Sequence, residues 1–160
     1  MRLGLLVTLL LSFNISFAQS SISASLSKLN NAKNDSEKVV AYRAIFDHYQ
    51  YSNPDSATYF LNRGLSYFTQ RKYKYGMARI MMLLAYIDVN EGRMEIGKLR
   101  ENAALQIFRD LNKPADVANV YNSLGVIEGK NSNFDAATKL FLKALKVYDS
   151  LKDIKGLRTT

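Results

Sequence analysis

Apolar residues recur at three- and four-residue steps along most of the chain, and short polar segments interrupt them. This spacing places apolar side chains on one face of a helix. No segment alternates apolar and polar residues for long, so strands are not expected. Asn34 followed by Glu37 predicts a capping box at the first helix. The six predicted helices are Glu37–Tyr51, one from the Asn53–Ser56 turn to Gln70, Met77–Glu91, Met94–Leu111, Asp116–Lys130 and Phe134–Lys152.

The predicted helices repeat with a fixed period. The segment Lys74–Ala78 is echoed by Pro114–Ala118 and again by Ile154–Arg158. A fixed period of about 40 residues is typical of stacked helical hairpins. We therefore predict an all-α fold, a solenoid of about three helical hairpins. The repeat domain spans 35–155 in units of 36–75, 76–115 and 116–155, and residues 156–160 begin a further, incomplete unit.

The third unit carries a distinctive pattern of side chains. Tyr121 is a large residue, Leu124–Gly125 follows it, and Ala137, Phe141 and Ala144 lie in the next helix. This pattern resembles the tetratricopeptide repeat, although the period here is longer than that family's usual ~34 residues. The resemblance implies a right-handed solenoid of paired helices that binds proteins or peptides. The first two units match the pattern more loosely.

Close packing of paired helices explains the small residues in this pattern. Gly or Ala is expected where two helices approach closely, and larger side chains are expected to fill the space between neighbouring pairs. Substituting a buried Leu or Phe by Ala typically costs about 2–5 kcal/mol. The positions predicted to pack the repeats are Ala57, Gly64, Leu84, Gly97, Ala104, Tyr121, Leu124, Gly125, Ala137, Phe141, Ala144 and Leu145.

Two charged residues depart from the pattern in the second unit. Arg100 and Glu101 stand where the third unit has Leu140 and Phe141. Burying an unpaired charge is costly. Either Leu99 takes over the packing through a slight rotation of the helix, or this stretch is more exposed. The sequence leaves both alternatives open.

Residues 1–18 have the three parts of a secretory signal. Met1–Arg2 is a short positive start, Leu3–Phe13 is apolar, and Ser16–Ala18 supplies small residues for cleavage. We predict cleavage after Ala18 and an exported, periplasmic protein; a buried first helix is the alternative. The Ser- and Asn-rich residues 19–34 are predicted to be a linker with one short helical stretch. The apolar run is shorter than the ~20 residues of a membrane span, so no span is predicted.

The formal charge of +8 is scattered rather than gathered in one segment. The only dense run, Arg71–Tyr75, mixes basic and aromatic residues, but no nucleic-acid-binding motif accompanies it. A solvated turn is the interpretation, and no nucleic-acid partner is expected. The chain has no cysteine, which excludes disulfides and thiolate metal sites.

This longer variant of the repeat has a second resemblance. Lys74–Gly76 opens a unit, Asn122–Gly125 lies inside one, and Lys143–Tyr148 closes one. These segments resemble the exported repeat region of two-component sensor histidine kinases and related regulators, common in the Bacteroidetes. The resemblance implies the sensor segment of a signalling protein, with a protein or peptide ligand on the concave face formed by the first helix of each unit. The predicted binding residues are Tyr42, Phe46, Tyr49, Arg79, Met82, Tyr86, Asn119, Asn122 and Val126.

Within this set, Asn119 and Asn122 are expected to bridge peptide N–H and C=O groups, and Arg79 to meet a carboxylate. His48 is the only histidine, and Asp88 and Glu128 share one repeat slot rather than one site. No catalytic residue, metal or cofactor is therefore predicted, and the chain is not expected to be an enzyme. The alternative function is a stand-alone periplasmic scaffold that self-associates or binds a partner through the apolar stripe of its last helix.

Overall fold

The structure is a computed structural model that describes residues 22–151. All the regular structure in that range is α-helical, which confirms the predicted all-α class. The helices are α1 (described over 22–31), α2 (Asp35–Tyr49), α3 (Pro54–Gln70), α4 (Lys74–Asn90), α5 (Met94–Asp110), α6 (Pro114–Lys130) and α7 (Phe134–Ser150). The predicted signal at 1–18 and the predicted incomplete unit at 156–160 lie outside the described residues.

The chain divides into two compact units, Met1–Phe60 and Leu61–Thr160, with the boundary inside α3. We call them the N-terminal and C-terminal units. In the N-terminal unit, residues 22–31 of the predicted linker are helical. The Asn34 half of the predicted capping box is confirmed, since Asn34 Oδ1 accepts from the Glu37 backbone N–H at 2.9 Å. The Glu37 carboxylate accepts from the Lys33 backbone N–H at 2.8 Å, one residue before the N-cap.

Helices α3 to α7 are equal in length and evenly spaced along the chain. Each is 17 residues long and is followed by a three-residue turn before the next begins. The predicted period is therefore made of two equal helix-and-turn halves. Three helices begin earlier than predicted, α2 at Asp35, α4 at Lys74 and α6 at Pro114. Pro114 lies outside the predicted helix Asp116–Lys130, but its fixed φ and missing N–H suit the first helical position that it occupies.

A left-handed residue stands at the same place in four successive turns. The positive φ values are 55° at Lys72, 81° at Gly92, 51° at Asn112 and 62° at Ser132. The next residue's N–H returns to the carbonyl five residues back, for example from Arg93 to Asp88 at 2.7 Å. These bonds satisfy carbonyls that the helix end leaves free. The backbone geometry of the turn, the same after each of these helices, thus fixes where each helix ends.

In the C-terminal unit, consecutive helices from α4 to α7 pack against each other. Their core draws apolar side chains from α4, α5 and α6, and Phe108 is completely buried in it. Within α6 and α7 a second cluster joins Ala118, Ala144 and Tyr148. The buried core residues shared by α4, α5 and α6 are Ala78, Val89, Ala104, Leu105, Phe108, Val117, Val120, Leu124 and Ile127.

Two glycines mark the closest approaches between these helices. A Cβ placed on Gly97 of α5 would lie 2.5 Å from Val89 Cγ2 and 3.1 Å from the Ala85 carbonyl oxygen of α4. A Cβ on Gly125 of α6 would lie 2.6 Å from Phe141 Cε1 of α7. Since real Cβ atoms do not come this close, only glycine fits either contact without a shift.

The positions predicted to pack the repeats are mostly buried. Tyr121 and Phe141 are half-buried, and Leu145 is 36 % exposed on α7, the last described helix. Those that are buried are Ala57, Gly64, Leu84, Gly97, Ala104, Leu124, Gly125, Ala137 and Ala144.

Both alternatives offered for Arg100 and Glu101 are wrong. Leu99 does not take over the packing, because it is 72 % exposed, and the core position itself is not more exposed, because Glu101 is only 3 % exposed. Arg100 extends to Asp88 of α4, where Nε lies 2.7 Å from Oδ2. Burial raises the pKa of Glu101 to about 8 against a hydrogen bond with Ser123 that lowers it. A carboxyl that is neutral at pH 7 can occupy a core position that a charged one cannot.

None of the helices in residues 22–151 combines the length and the apolar character that crossing a membrane requires.

Candidate binding face

Six of the predicted binding residues form two matching rows in the C-terminal unit. Arg79, Met82 and Tyr86 lie on α4, and Asn119, Asn122 and Val126 lie on α6. Within each row the steps are three and four residues, so each row follows one side of its helix. The two rows occupy equivalent repeat positions, residue by residue. We call these six residues the α4–α6 face.

Polar contacts join α4 to α6 at both ends of the face. At one end, Arg79 Nη1 and Asp116 Oδ1 form an ion pair at 2.8 Å. At the other end, Lys130 Nζ donates to Asn90 Oδ1 at 3.1 Å. The two rows are therefore held side by side rather than spread over separate surfaces.

The middle of the face is apolar and accessible. Tyr86 is 39 % exposed and Val126 is 49 % exposed, while Met82 is half-buried. Two exposed apolar side chains at the equivalent position of successive repeats offer a contact to an apolar group of a ligand.

Asn122 contributes an unusual acceptor to this face. Its Oδ1 atom is buried, and no hydrogen-bond partner for it occurs in the described part of the chain. A buried polar atom without a partner is costly in a folded protein, and such groups are rare. A ligand N–H reaches this buried atom only when the Asn122 side chain rotates outward, and the bond formed then removes that cost.

Arg79 is not available to a carboxylate in the way the sequence suggested. Its guanidinium is already paired with Asp116, and its side chain is only 27 % exposed. The charge of Arg79 is therefore largely neutralised within the protein.

The same Asp116 affects Tyr75. The pKa of the Tyr75 phenol is raised, mainly by burial and further by the Asp116 charge.

Asn119 is also engaged within the chain. Its Oδ1 accepts from the Tyr148 hydroxyl of α7 at 2.6 Å. The Asn119 amide nitrogen remains on an exposed side chain. Asn119 can therefore donate to a ligand, whereas Asn122 can accept from one.

The remaining predicted binding residues lie in the N-terminal unit and have a different character. Tyr42 and Phe46 are buried, with 6 % and 2 % exposure. Tyr49 stacks on Phe60 with ring centroids 6.0 Å apart. Buried aromatic side chains stabilise packing, so Tyr42 and Phe46 present no surface to a partner.

Sequence reasoning missed the role of two buried acids. Asp88 of α4 is held by Arg93, whose Nη2 lies 2.7 Å from Oδ1, and by Arg100 of α5. Glu128, at the equivalent position of α6, pairs with Lys98 of α5 and accepts from Asn133 Nδ2 at 2.9 Å. The sequence signal for this role was that Asp88 and Glu128 occupy the same repeat position, with basic residues near that position.

These pairs make the two acids structural rather than chemical groups. Lys98 and then Asn133 hold the pKa of Glu128 below its usual value. A carboxylate held in its charged form, as Glu128 is, is poorly suited to exchange protons with a substrate. His48 packs edge-on against Tyr49, with ring centroids 4.7 Å apart. Nowhere in residues 22–151 do three acidic or histidine side chains gather as potential metal ligands.

Tyr121 has surroundings that the repeat pattern did not indicate. The Arg109 guanidinium lies 5.8 Å from its ring centroid, and the Lys143 ammonium lies 5.7 Å from it. Arg109 Nη2 also donates to the Tyr121 hydroxyl at 2.7 Å. The half-buried ring thus joins α5, α6 and α7 through cation–π contacts as well as through packing.

Comparisons of the chain with known protein families, with curated proteins and with solved structures found no match.

Proposed function

We propose that the C-terminal unit is a binding module that holds an extended peptide segment of a partner protein on the α4–α6 face. The observation that carries this proposal is the buried, unpartnered Oδ1 of Asn122 on the same face as the exposed side chains of Tyr86 and Val126. An extended peptide presents a backbone N–H and an apolar side chain within a few ångströms of each other. It therefore supplies both groups that this face lacks.

The polar contacts at the ends of the α4–α6 face further restrict the kind of peptide that it can bind. Arg79 is paired with Asp116 and Lys130 is bonded to Asn90. A ligand whose recognition depended on a free terminal carboxylate would have to break the Arg79 pair first. We therefore expect an internal, uncharged segment with apolar side chains to bind better than an acidic one or a free C-terminus.

A peptide library tests this proposal. The full chain is screened against immobilised peptides of random sequence, with Asn122→Ala and with Asn102→Ala as the matched control. Asn102 is an exposed asparagine of α5, outside the α4–α6 face. Losing one hydrogen bond to a buried acceptor should weaken binding by about 1–2 kcal/mol, roughly tenfold. Equal binding by both variants would count against this face.

The resemblance to exported sensor regions extends the proposal to the whole chain. We propose a right-handed tetratricopeptide-like solenoid, exported to the periplasm after cleavage at Ala18, that passes ligand binding to a downstream signalling domain. The equal helices and turns of α3–α7 support a helical-hairpin repeat. Mass spectrometry of the protein from periplasmic extract tests export. A mature chain beginning at Gln19 is expected, and an intact Met1 there would contradict it.

A second candidate function rests on α7. Phe134, Leu142 and Leu145 of this helix are 69 %, 57 % and 36 % exposed. Apolar side chains exposed along one helix are a potential surface for self-association or for a partner in a stand-alone scaffold. Light scattering over a hundredfold range of concentration tests this, with Leu142→Lys as the variant. A mass that stays monomeric throughout would contradict self-association.

A further inference from the structure

A carboxyl group occupies a core position of the repeat. Leu61, Glu101 and Phe141 share one slot in successive repeats. Leu61 is fully buried, and Glu101 is nearly so, at 3 % exposure. The Oε2 atom of Glu101 has no hydrogen-bond partner among the residues that the structure describes. Such surroundings strongly disfavour the charged form of a carboxyl group.

Glu101 contacts the neighbouring hairpin through Ser123. A hydrogen bond joins Glu101 of α5 to Ser123 of α6, and Ser123 follows Asn122 directly. The titratable phenols at the interfaces of α5 are Tyr75 of α4, against Phe108, and Tyr121 of α6, which bonds Arg109. Burial raises the pKa of the Tyr75 phenol further from neutral pH, so this group stays uncharged there.

The charged groups around α5 are already paired. Asp88 faces it from α4 and is held by Arg100, while Glu128 faces it from α6 and is held by Lys98. None of these charges contributes to the pKa of Glu101, which burial raises and Ser123 lowers. The protonation of Glu101 is therefore set by its own burial at this point of contact.

The two interfaces of α5 differ in strength. α5 packs more extensively on α4 than on α6. On the α4 side Gly97 is in such close contact with Ala85 and Val89 that no Cβ fits. On the α6 side, the partly exposed Lys98 pairs with the buried Glu128, and Arg109 bonds Tyr121 near the protein surface. A force that separates helices near Glu101 would therefore open the α5–α6 side first.

We propose that the contact between α5 and α6 is a pH-responsive joint between the hairpins α4–α5 and α6–α7, closed when Glu101 is protonated and opened to water when it ionises. The hairpins themselves stay intact, because α4–α5 and α6–α7 are the more extensive contacts. The proposal does not depend on the α4–α6 face binding a peptide.

The direction of the pH dependence follows from the position of the titration. Burial raises the pKa of Glu101 to about 8 in the folded chain, whereas an exposed Glu titrates near ~4.3. Between these values the folded state holds a proton that the opened state releases. The equilibrium constant for opening should therefore rise about tenfold per pH unit from roughly pH 5 to pH 8, and level off above.

Hydrogen exchange of the full chain tests the joint. Exchange of α5 and α6 amides is measured from pH 5.5 to 8.5 and corrected for the intrinsic rate of exchange. We expect opening to increase up to about tenfold per pH unit in the wild type and to be nearly independent of pH in Glu101→Gln, which keeps the size and cannot ionise. Glu95→Gln is the matched control, because Glu95 is an exposed acid of the same helix; it should behave as wild type.

A second measurement keeps the proposal testable if exchange is complicated by global unfolding. Carbon-13 NMR of the glutamate carboxyl groups, assigned with Glu101→Gln, reports the titration of Glu101 directly. A midpoint near pH 8 is expected. A midpoint below pH 6, or the same pH dependence of α5 and α6 opening in wild type and Glu101→Gln, would overturn the joint.

Discussion

Arg79 and Asp116 lie 37 residues apart in the chain, and their side chains form an ion pair at 2.8 Å that joins α4 to α6. The position of α6 equivalent to Arg79 is Asn119, so Asp116 stands about one helical turn before it. The pair therefore links successive repeats diagonally, and it neutralises the Arg79 charge on the proposed binding face.

A double-mutant cycle measures what this pair contributes. Arg79→Gln, Asp116→Asn and the double variant are unfolded with urea at pH 7. The side chains are 27 % and 13 % exposed, so we expect a coupling of about 1–2 kcal/mol. The matched control is the pair Arg43–Asp47, which has the same distance of 2.8 Å but exposures of 50 % and 47 %. Its coupling should be only about 0.3–0.5 kcal/mol. Equal couplings would show that burial does not strengthen the Arg79 pair.

Two glycines inside helices should respond to alanine in opposite ways. Gly97→Ala places a Cβ 2.5 Å from Val89 Cγ2 and 3.1 Å from a backbone oxygen of α4. Overpacking there should destabilise the chain by about 1–3 kcal/mol. Gly129→Ala meets nothing within 4 Å and should stabilise α6 by about 0.5–1 kcal/mol, because alanine is the better helix former. Thermal and urea unfolding check both, and effects of the same sign would contradict the close approach at Gly97.

The repeat pattern could be predicted because the same physical need recurs once in every repeat. Gly97 and Ala137 share a slot that holds only small residues, and at Gly97 the neighbouring helix leaves no room for a Cβ. A sequence displays such a slot directly. The Arg79–Asp116 pair was missed because it combines positions one turn out of register. The sequence signal for this pair was the presence of opposite charges, one turn out of register, in the first helices of successive repeats.

Glu101 was missed for a different reason. From the sequence, the acid was expected to be charged, and on that assumption burial is too costly. Protonation removes most of the cost, but it depends on the surroundings that only the fold supplies. The exposed position of Leu99 follows, because Glu101 fills the core in its place.

The pair of Lys98 and Glu128 should give the chain part of its resistance to acid. Lys98 holds the pKa of Glu128 below its usual value, and Glu128 raises the pKa of Lys98. The carboxylate's contribution is present above the unfolded pKa of ~4.3 and is lost as the pH falls below it. That of the lysine is lost only at strongly alkaline pH. Stability from this pair should therefore be constant between about pH 5 and pH 10.

Lys98→Met tests this dependence. At pH 7 it leaves the Glu128 carboxylate with only Asn133, and should cost about 1–3 kcal/mol. At pH 3, where Glu128 is increasingly protonated in both proteins, the difference between variant and wild type should shrink. Urea unfolding at both pH values measures it, with Lys146→Met on the exposed side of α7 as the control. A difference that is the same at pH 3 and pH 7 would contradict the assigned role of Glu128.

Replacing Lys72, which has a left-handed backbone in its turn, by glycine should make the protein more stable. Lys72 has φ of 55° and Gly92, in the equivalent position of the next turn, has φ of 81°. A side chain in this conformation costs roughly 1–2 kcal/mol, while glycine loses about 0.4–1 kcal/mol through greater freedom in the unfolded chain. Lys72→Gly should therefore stabilise the protein by about 0.5–1 kcal/mol.

Two comparisons isolate the backbone as the cause. Gly92→Ala should destabilise by about 1 kcal/mol, although no atom lies within 4 Å of the added Cβ, so crowding is not involved. Lys139→Gly, at an exposed position in the interior of α7, should destabilise, because there glycine only weakens a helix. Thermal unfolding of the three variants gives the order directly. If Lys72→Gly lowers the midpoint as Lys139→Gly does, the left-handed turn at Lys72 is not under strain, and its lysine side chain must stabilise the turn in some other way.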